Sequence, residues 1–143
     1  MNRIEDYLEL KLNIVEWIRD YTDSNNIKSL VIGVSGGIDS AVVSTLCAET
    51  GLPTYALGMP LHQNSNQENL SDNHLEWLQN RYPNVICQKF DLTNVFDQFK
   101  DTMREFGCDK LSLANSRSRL RMVTLYQVAG SVGGLVVGTG NKV

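Results

Sequence analysis

Apolar residues follow two spacings along this chain, and the two spacings predict different elements. Intervals of three and four over residues 3–23 place Ile4, Leu8, Leu12 and Val15 on one stripe of a helix. A continuous apolar run at 30–34 predicts a strand covered on both faces. Similar patterns predict helices at 39–50, 68–80, 95–106 and 112–132, strands at 55–59, 85–90 and 135–138, and a polar loop over 61–69.

This alternation of strands and helices predicts an α/β fold. Repeated strand-helix-strand units favour an open parallel sheet with helices on both faces, joined by right-handed crossovers. Three of the four predicted strands lead into Ser35, Met59 and Thr139. Because ligands collect beyond the carboxyl ends of parallel strands, we expect these residues at a ligand site.

The segment Ser-Gly-Gly-Ile-Asp-Ser at 35–40 lies between the first predicted strand and the next helix. Paired glycines allow a tight turn and a close approach to an anion, which the helix N-terminus attracts. Asp39 would repel a bare phosphate, so it points to a nucleotide that carries Mg²⁺. The segment has neither the Walker nor the dinucleotide pattern. The alternative is an ordinary glycine-rich turn with Asp39 as the helix cap.

The composition is that of a globular protein. Among 143 residues, 42% are hydrophobic and 20% are charged, and no run approaches the roughly 20 apolar residues that span a bilayer. The N-terminus lacks the apolar core of a signal peptide, so we expect a cytoplasmic protein. A net charge of −3 argues against broad electrostatic binding to nucleic acid.

Cysteine and histidine add no candidate catalytic group. Cys47, Cys87 and Cys108 are odd in number and lack Cys-x-x-Cys spacing, which favours reduced, buried or half-buried thiols over disulfides or a zinc site. His62 falls in a predicted loop and His74 in a predicted helix, with no partner apparent in the sequence. We therefore assign no general base.

Three arginines alternate in the predicted helix 112–132. Arg117 and Arg121 are four residues apart and share a face, whereas Arg119 points elsewhere, so separate roles are expected. Guanidinium groups suit carboxylate or phosphate ligands. The alternative is a solvated helix start with ion pairs to acids such as Asp109.

Two motifs resemble known families. The segment at 35–40 resembles the N-type ATP pyrophosphatases, which cleave ATP between its α and β phosphates to adenylate a substrate. The pattern at 115–122, Asn115 through Arg119 to Met122, followed by Val-Val-Gly-Thr at 136–139, resembles the NAD synthetases in order and spacing. This second resemblance extends over essentially the whole chain. It implies a Rossmann-like three-layer fold of the adenine nucleotide alpha hydrolase type.

The resemblance also implies an activity and a set of site residues. The expected enzyme is a ligase that adenylates deamido-NAD with Mg-ATP, releases pyrophosphate, and amidates the adenylate with ammonia to give NAD and AMP. Asp39 is the implied Mg²⁺ ligand and Arg119 the implied deamido-NAD contact. The implied ATP-binding residues are Gly33, Val34, Ser35, Gly36, Gly37, Ile38, Asp39, Ser40, Met59 and Thr139.

Residues 1–143 are expected to form one ATP-binding synthetase domain, truncated at its C-terminus because no helix follows the last strand. In the family, a second metal ligand, a glutamate, would fall one residue beyond Val143. Asn141-Lys142 matches one branch of the family, and the resemblance implies a homodimer supplied with free ammonia or by a separate subunit. Two alternatives stay open, namely another N-type ATP pyrophosphatase, such as a GMP synthetase-like or tRNA-modifying enzyme, and a nucleotide-binding module without catalysis.

Overall fold

The computed structural model describes residues 6–62, 65–106 and 109–140. These residues form strands alternating with helices, as the apolar pattern predicted. The elements in chain order are α1 (Tyr7–Ser24), β1 (Ser29–Val34), α2 (Ile38–Glu49), β2 (Thr54–Gly58), α3 (Ser65–Arg81), β3 (Val85–Lys89), α4 (Thr93–Thr102), a 3₁₀ turn (Arg104–Phe106), α5 (Lys110–Val132) and β4 (Gly134–Val136).

The four strands form one parallel sheet in the order β3-β2-β1-β4. The central strand β1 pairs with β2 from Leu30↔Thr54 to Val34↔Gly58, and with β4 from Ser29↔Gly134 to Val31↔Val136. The chain therefore moves in one direction from β1 to β3 and then returns past β1 to β4. Such a reversal of strand order is where open α/β sheets bind their ligands.

Alternate residues of β1 supply the two sides of the core, as the period of two in a strand requires. Leu30 and Ile32 pack with Cys47 of α2 and Leu78 of α3 on one face. Val31 faces the other side, where Phe96 of α4 and Leu125 and Ala129 of α5 pack. Helices thus cover both faces of the sheet, and the predicted fold class is confirmed.

Several element boundaries differ from the prediction. Helix α3 begins at Ser65, inside the predicted 61–69 loop, because the polar first turn Ser-Asn-Gln-Glu carries no apolar period. The helix predicted at 95–106 ends at Thr102 and continues as the 3₁₀ turn. Gly107, predicted to end that helix, lies outside the described residues, as do Ile4 and Cys108.

Helix α5 has caps at both ends that account for its bounds. The Asp109 side chain accepts a hydrogen bond from the Ser112 amide at 3.1 Å. Hydrogen bonds from the Ser112 side chain and from its amide hold the Asp109 pKa below its usual range. At the other end Gly133 adopts φ 62°, a left-handed conformation that suits glycine, and leads straight into β4. Asp109 therefore caps the helix, and in the part of the chain that the structure describes it forms no ion pair with the arginines.

Some predicted apolar stripes are only partly covered. In α1, Val15 is buried, but Leu8 and Leu12 are exposed, and α5 leaves Val123 and Tyr126 exposed. Helical spacing shows which residues share a face, but it does not show what covers that face. Among the described residues, no helix combines the length and apolarity needed to cross a bilayer.

A matched pair of phenylalanines in α4 tests this core. Phe96 is 2% exposed and Phe99 is 47% exposed. We expect Phe96→Ala to lower the free energy of unfolding by about 3–5 kcal/mol, because it removes a large buried side chain. Phe99→Ala should cost much less. Urea unfolding of both full-length variants measures the difference, and equal losses would contradict the described core.

Candidate functional site

The carboxyl end of β1 opens into a cavity of about 350 Å³ between the segment after β1, α5 and the segment after β4. Of the ten residues predicted to bind ATP, six line this cavity, and they come from three separate parts of the chain. The six are Gly33, Val34, Ser35, Ser40, Met59 and Thr139. Of the other four predicted residues, Gly36 and Gly37 lie in the turn after Ser35, and Ile38 and Asp39 lie in the first turn of α2.

The turn between β1 and α2 is held by its own serines. The Ser35 amide donates to the Ser40 hydroxyl oxygen at 3.1 Å, and Ser40 donates to the Gly37 carbonyl at 3.2 Å. The Gly37 amide donates to the Ser35 hydroxyl oxygen at 3.3 Å. Gly37 is the N-cap of α2 and no side chain caps this helix. The first turn of α2 is therefore available to bind an anion.

Gly36 is required here for two reasons. Its φ is 90°, a conformation that residues with side chains rarely adopt. In addition, a Cβ atom at this position would lie 2.6 Å from the Gln67 carbonyl oxygen. The first turn of α3 thus presses against the turn after β1, and only glycine leaves room for that contact.

Asp39 lies in the first turn of α2, where its carboxylate is exposed. It forms no hydrogen bond or ion pair within the described residues, so its oxygens can act as ligands. Mg²⁺ is commonly held by one or two carboxylates together with substrate phosphates, and Asp39 beside an anion-binding turn fits that arrangement. Among the described residues, no three His, Cys, Asp or Glu side chains cluster as a metal site.

The three arginines of α5 separate as helical geometry predicted. The Arg121 Nε donates to the Met59 carbonyl oxygen at 3.1 Å, and Arg121 lines the cavity. The Arg117 guanidinium lies 5.5 Å from the centroid of the Phe96 ring. Arg119 lines a different depression with Val123. The structure therefore places Arg119 outside the cavity that contains the predicted ATP residues.

Sequence reasoning missed several residues that line the cavity. Gln67 comes from the first turn of α3, which was predicted as loop. Ser118 and Arg121 come from α5. Their alignment on one helix with a spacing of three was visible in the sequence. That this face points into the cavity depends on how α5 packs against β1, which the sequence did not show.

Neither histidine lines the cavity. His62 lies 2.7 Å from an Asp97 carboxylate oxygen. His74 Nε2 lies 2.8 Å from the Ser44 hydroxyl, which also donates to the Ala41 carbonyl at 3.1 Å. Both histidines thus have structural partners that the sequence did not reveal.

The described thiols are sequestered. Cys47 is fully buried, and burial raises its pKa to about 12. Cys87 is half-buried, and burial raises its pKa as well. Because the thiolate is the nucleophilic form, neither thiol is suited to catalysis at neutral pH.

Comparison with known proteins connects this site to one family. The family model described as NAD synthase matches residues 10–143. The chain is 34% identical over 139 residues to an NH3-dependent NAD(+) synthetase from Alkaliphilus metalliredigens, which covers 90% of this chain and 54% of that protein. The chain spans about half the length of the curated relatives it matches.

Two solved structures resemble the fold closely. The NMN synthetase from Francisella tularensis has a TM-score of 0.84 and 32% identity, with 93% of this chain and 54% of that one covered. The NH3-dependent NAD synthetase from Campylobacter jejuni, solved in complex with the nitrate ion, has a TM-score of 0.81 and 31% identity, with 96% and 58% covered.

Two glycines with positive φ provide a test of the turn after β1. Gly36→Ala should destabilise the full-length protein more than Gly51→Ala, because both substitutions force alanine to a positive φ but only the first meets a carbonyl oxygen. We expect about 1–2 kcal/mol for Gly51→Ala and a further loss for Gly36→Ala, measured by thermal unfolding. Equal losses would show that the Gln67 contact is absent.

His74 provides a pH-dependent test. Burial lowers its pKa, so the folded state binds a proton less readily than the unfolded state. As pH falls from the ordinary histidine value of about 6.5 to the lowered value, the folded state loses stability. NMR titration should show the lowered midpoint, and urea unfolding should show a weaker acid dependence for His74→Gln. An ordinary midpoint would contradict the burial described here.

Proposed function

The chain belongs to the NAD synthase family. On this premise we propose that the protein is an ammonia-dependent NAD synthetase, in which the cavity and the turn at 35–40 bind ATP. The proposed reaction has two steps. The carboxylate of deamido-NAD attacks the α-phosphorus of ATP, which forms an adenylate and releases pyrophosphate. Ammonia then attacks the activated carbonyl carbon, and AMP leaves as the amide forms.

A single observation carries the proposal. Six residues expected from the family motifs to bind ATP, including Ser35, Met59 and Thr139, line one cavity at the point where the strand order reverses. Their convergence from the ends of β1, β2 and β4 supports a nucleotide site.

The chain's own groups supply mainly electrostatic stabilisation in the first step. The turn at 35–40, held by the hydrogen bonds of its own serines, presents the uncapped start of α2 to the phosphates. Asp39 would hold Mg²⁺, which when bound would supply positive charge beside the phosphates. The attacking carboxylate needs no general base, since it is already ionised at neutral pH. Catalysis here depends on charge and position.

Three further parts of the proposal rest on the sequence and the family resemblance. They are the Mg²⁺ ion, a homodimer, and a cytoplasmic location. Arg119 is proposed to contact deamido-NAD, which agrees with its exposed position outside the cavity.

Product analysis tests the reaction directly. Full-length protein with Mg-ATP, ammonium and deamido-NAD should release pyrophosphate and AMP and form NAD, as identified by mass spectrometry. Nicotinic acid mononucleotide should be assayed in parallel, because one structural relative is an NMN synthetase. Release of orthophosphate would contradict the assignment as a pyrophosphatase. AMP formed only with another acceptor would indicate a different adenylating enzyme. Binding of ATP without formation of AMP would indicate a non-catalytic nucleotide-binding module.

Asp39→Asn tests the metal ligand with little change in shape. We expect kcat/KM to fall about 100-fold or more, because one charged ligand to the metal is lost, while the thermal unfolding midpoint changes little. Asp20→Asn is the matched control, since Asp20 is exposed on α1, which does not line the cavity. Unchanged turnover of Asp39→Asn at saturating Mg²⁺ would show that the metal is bound elsewhere.

A further inference from the structure

Arg121 is a half-buried cation in the wall of the cavity, and its placement differs from that of the other two motif arginines. It lies on α5, opposite the turn at 35–40, and lines the cavity with Ser35, Ser40 and Thr139. Its Nε donates to the Met59 carbonyl oxygen, which fixes the guanidinium plane against the end of β2.

The remaining hydrogen-bonding capacity of Arg121 is large. A guanidinium has five N–H donors, and the bond to Met59 uses one of them. Within residues 6–62, 65–106 and 109–140, Arg121 forms no other hydrogen bond and no ion pair with a carboxylate. Its terminal Nη groups therefore have donors available on the cavity side.

The electrostatic surroundings make the absence of a carboxylate significant. Burial disfavours the charged form of Arg121, and the nearby charge of Arg117 acts in the same direction, so both lower the Arg121 pKa. A half-buried guanidinium is normally stabilised by an anion, and the described residues supply none to Arg121. An anionic ligand would supply the negative charge that the Arg121 guanidinium lacks.

We propose that Arg121 belongs to the ATP site, where its Nε positions the Met59 carbonyl and its Nη groups bind a phosphate oxygen of ATP. This inference rests on the proposed function. The phosphate is favoured because the anion-binding turn at 35–40 forms another wall of the same cavity. Arg121 and Arg119 then serve different substrates, although only two residues separate them.

The test compares ligands that differ in phosphate content. ATP, AMP and adenosine are titrated calorimetrically into full-length wild type, Arg121→Gln and Arg121→Lys, without deamido-NAD or ammonia. We expect Arg121→Gln to weaken ATP binding about 10- to 100-fold, the worth of a charge-assisted hydrogen bond, and to change adenosine binding little. Arg121→Lys should recover part of the loss, because it restores the charge without the planar fork.

The control is Lys110→Gln, which removes one exposed positive charge from the start of the same helix. It should leave ATP affinity nearly unchanged. Equal weakening of ATP and adenosine by Arg121→Gln would overturn the phosphate contact and leave only the effect on Met59. Unchanged ATP affinity in both Arg121 variants, with unfolding midpoints near wild type, would overturn the whole inference.

These outcomes are separate from those of the proposed function, because binding is measured without the amidation substrates. NAD formation with normal ATP binding by Arg121→Gln would overturn only the role of Arg121. A selective loss of ATP binding in a protein that forms no NAD would overturn the reaction and support the role of Arg121.

Discussion

The parallel pairing of β1 on both of its sides is the constraint on which the site depends. Because β2 and β4 flank the same strand, their carboxyl ends meet at the end of β1. The helices that follow and precede these strands pack on opposite faces of the sheet, so a cleft opens between α2 and α5. The turn after β1, the Met59 carbonyl and Arg121 all take their positions from this arrangement.

The apolar pattern was sufficient to predict the order and type of the elements, because buried parallel strands and amphipathic helices leave different spacings. The apolar pattern was insufficient where a helical turn is polar and buries no apolar side chain, as in the first turn of α3. The separation of Arg119 from Arg117 and Arg121 followed from helical geometry alone. The bond from Arg121 to Met59 joins residues 62 positions apart, and it follows only from how α5 packs on the sheet.

Charge is distributed differently at the site and elsewhere on the molecule. Lys89 pairs with Glu68 and Asp72, and Lys11 pairs with Glu49. Asp39, in the first turn of α2 beside the cavity, and Arg121, in the cavity wall, carry opposite charges, yet neither forms an ion pair within the described residues. A site for a polyanion and its metal needs this separation, because a cation and a carboxylate that neutralise each other have little attraction left for a ligand.

The close approach of the Gln67 carbonyl to Gly36 restricts how the sequence can change during evolution. The distance between the turn after β1 and the first turn of α3 leaves no room for a side chain at position 36. A change in the length or path of the segment before α3 would move Gln67, and another residue at position 36 would need both that movement and a change of the positive φ. Substitutions in these two segments, 31 positions apart, are therefore expected to covary during divergence.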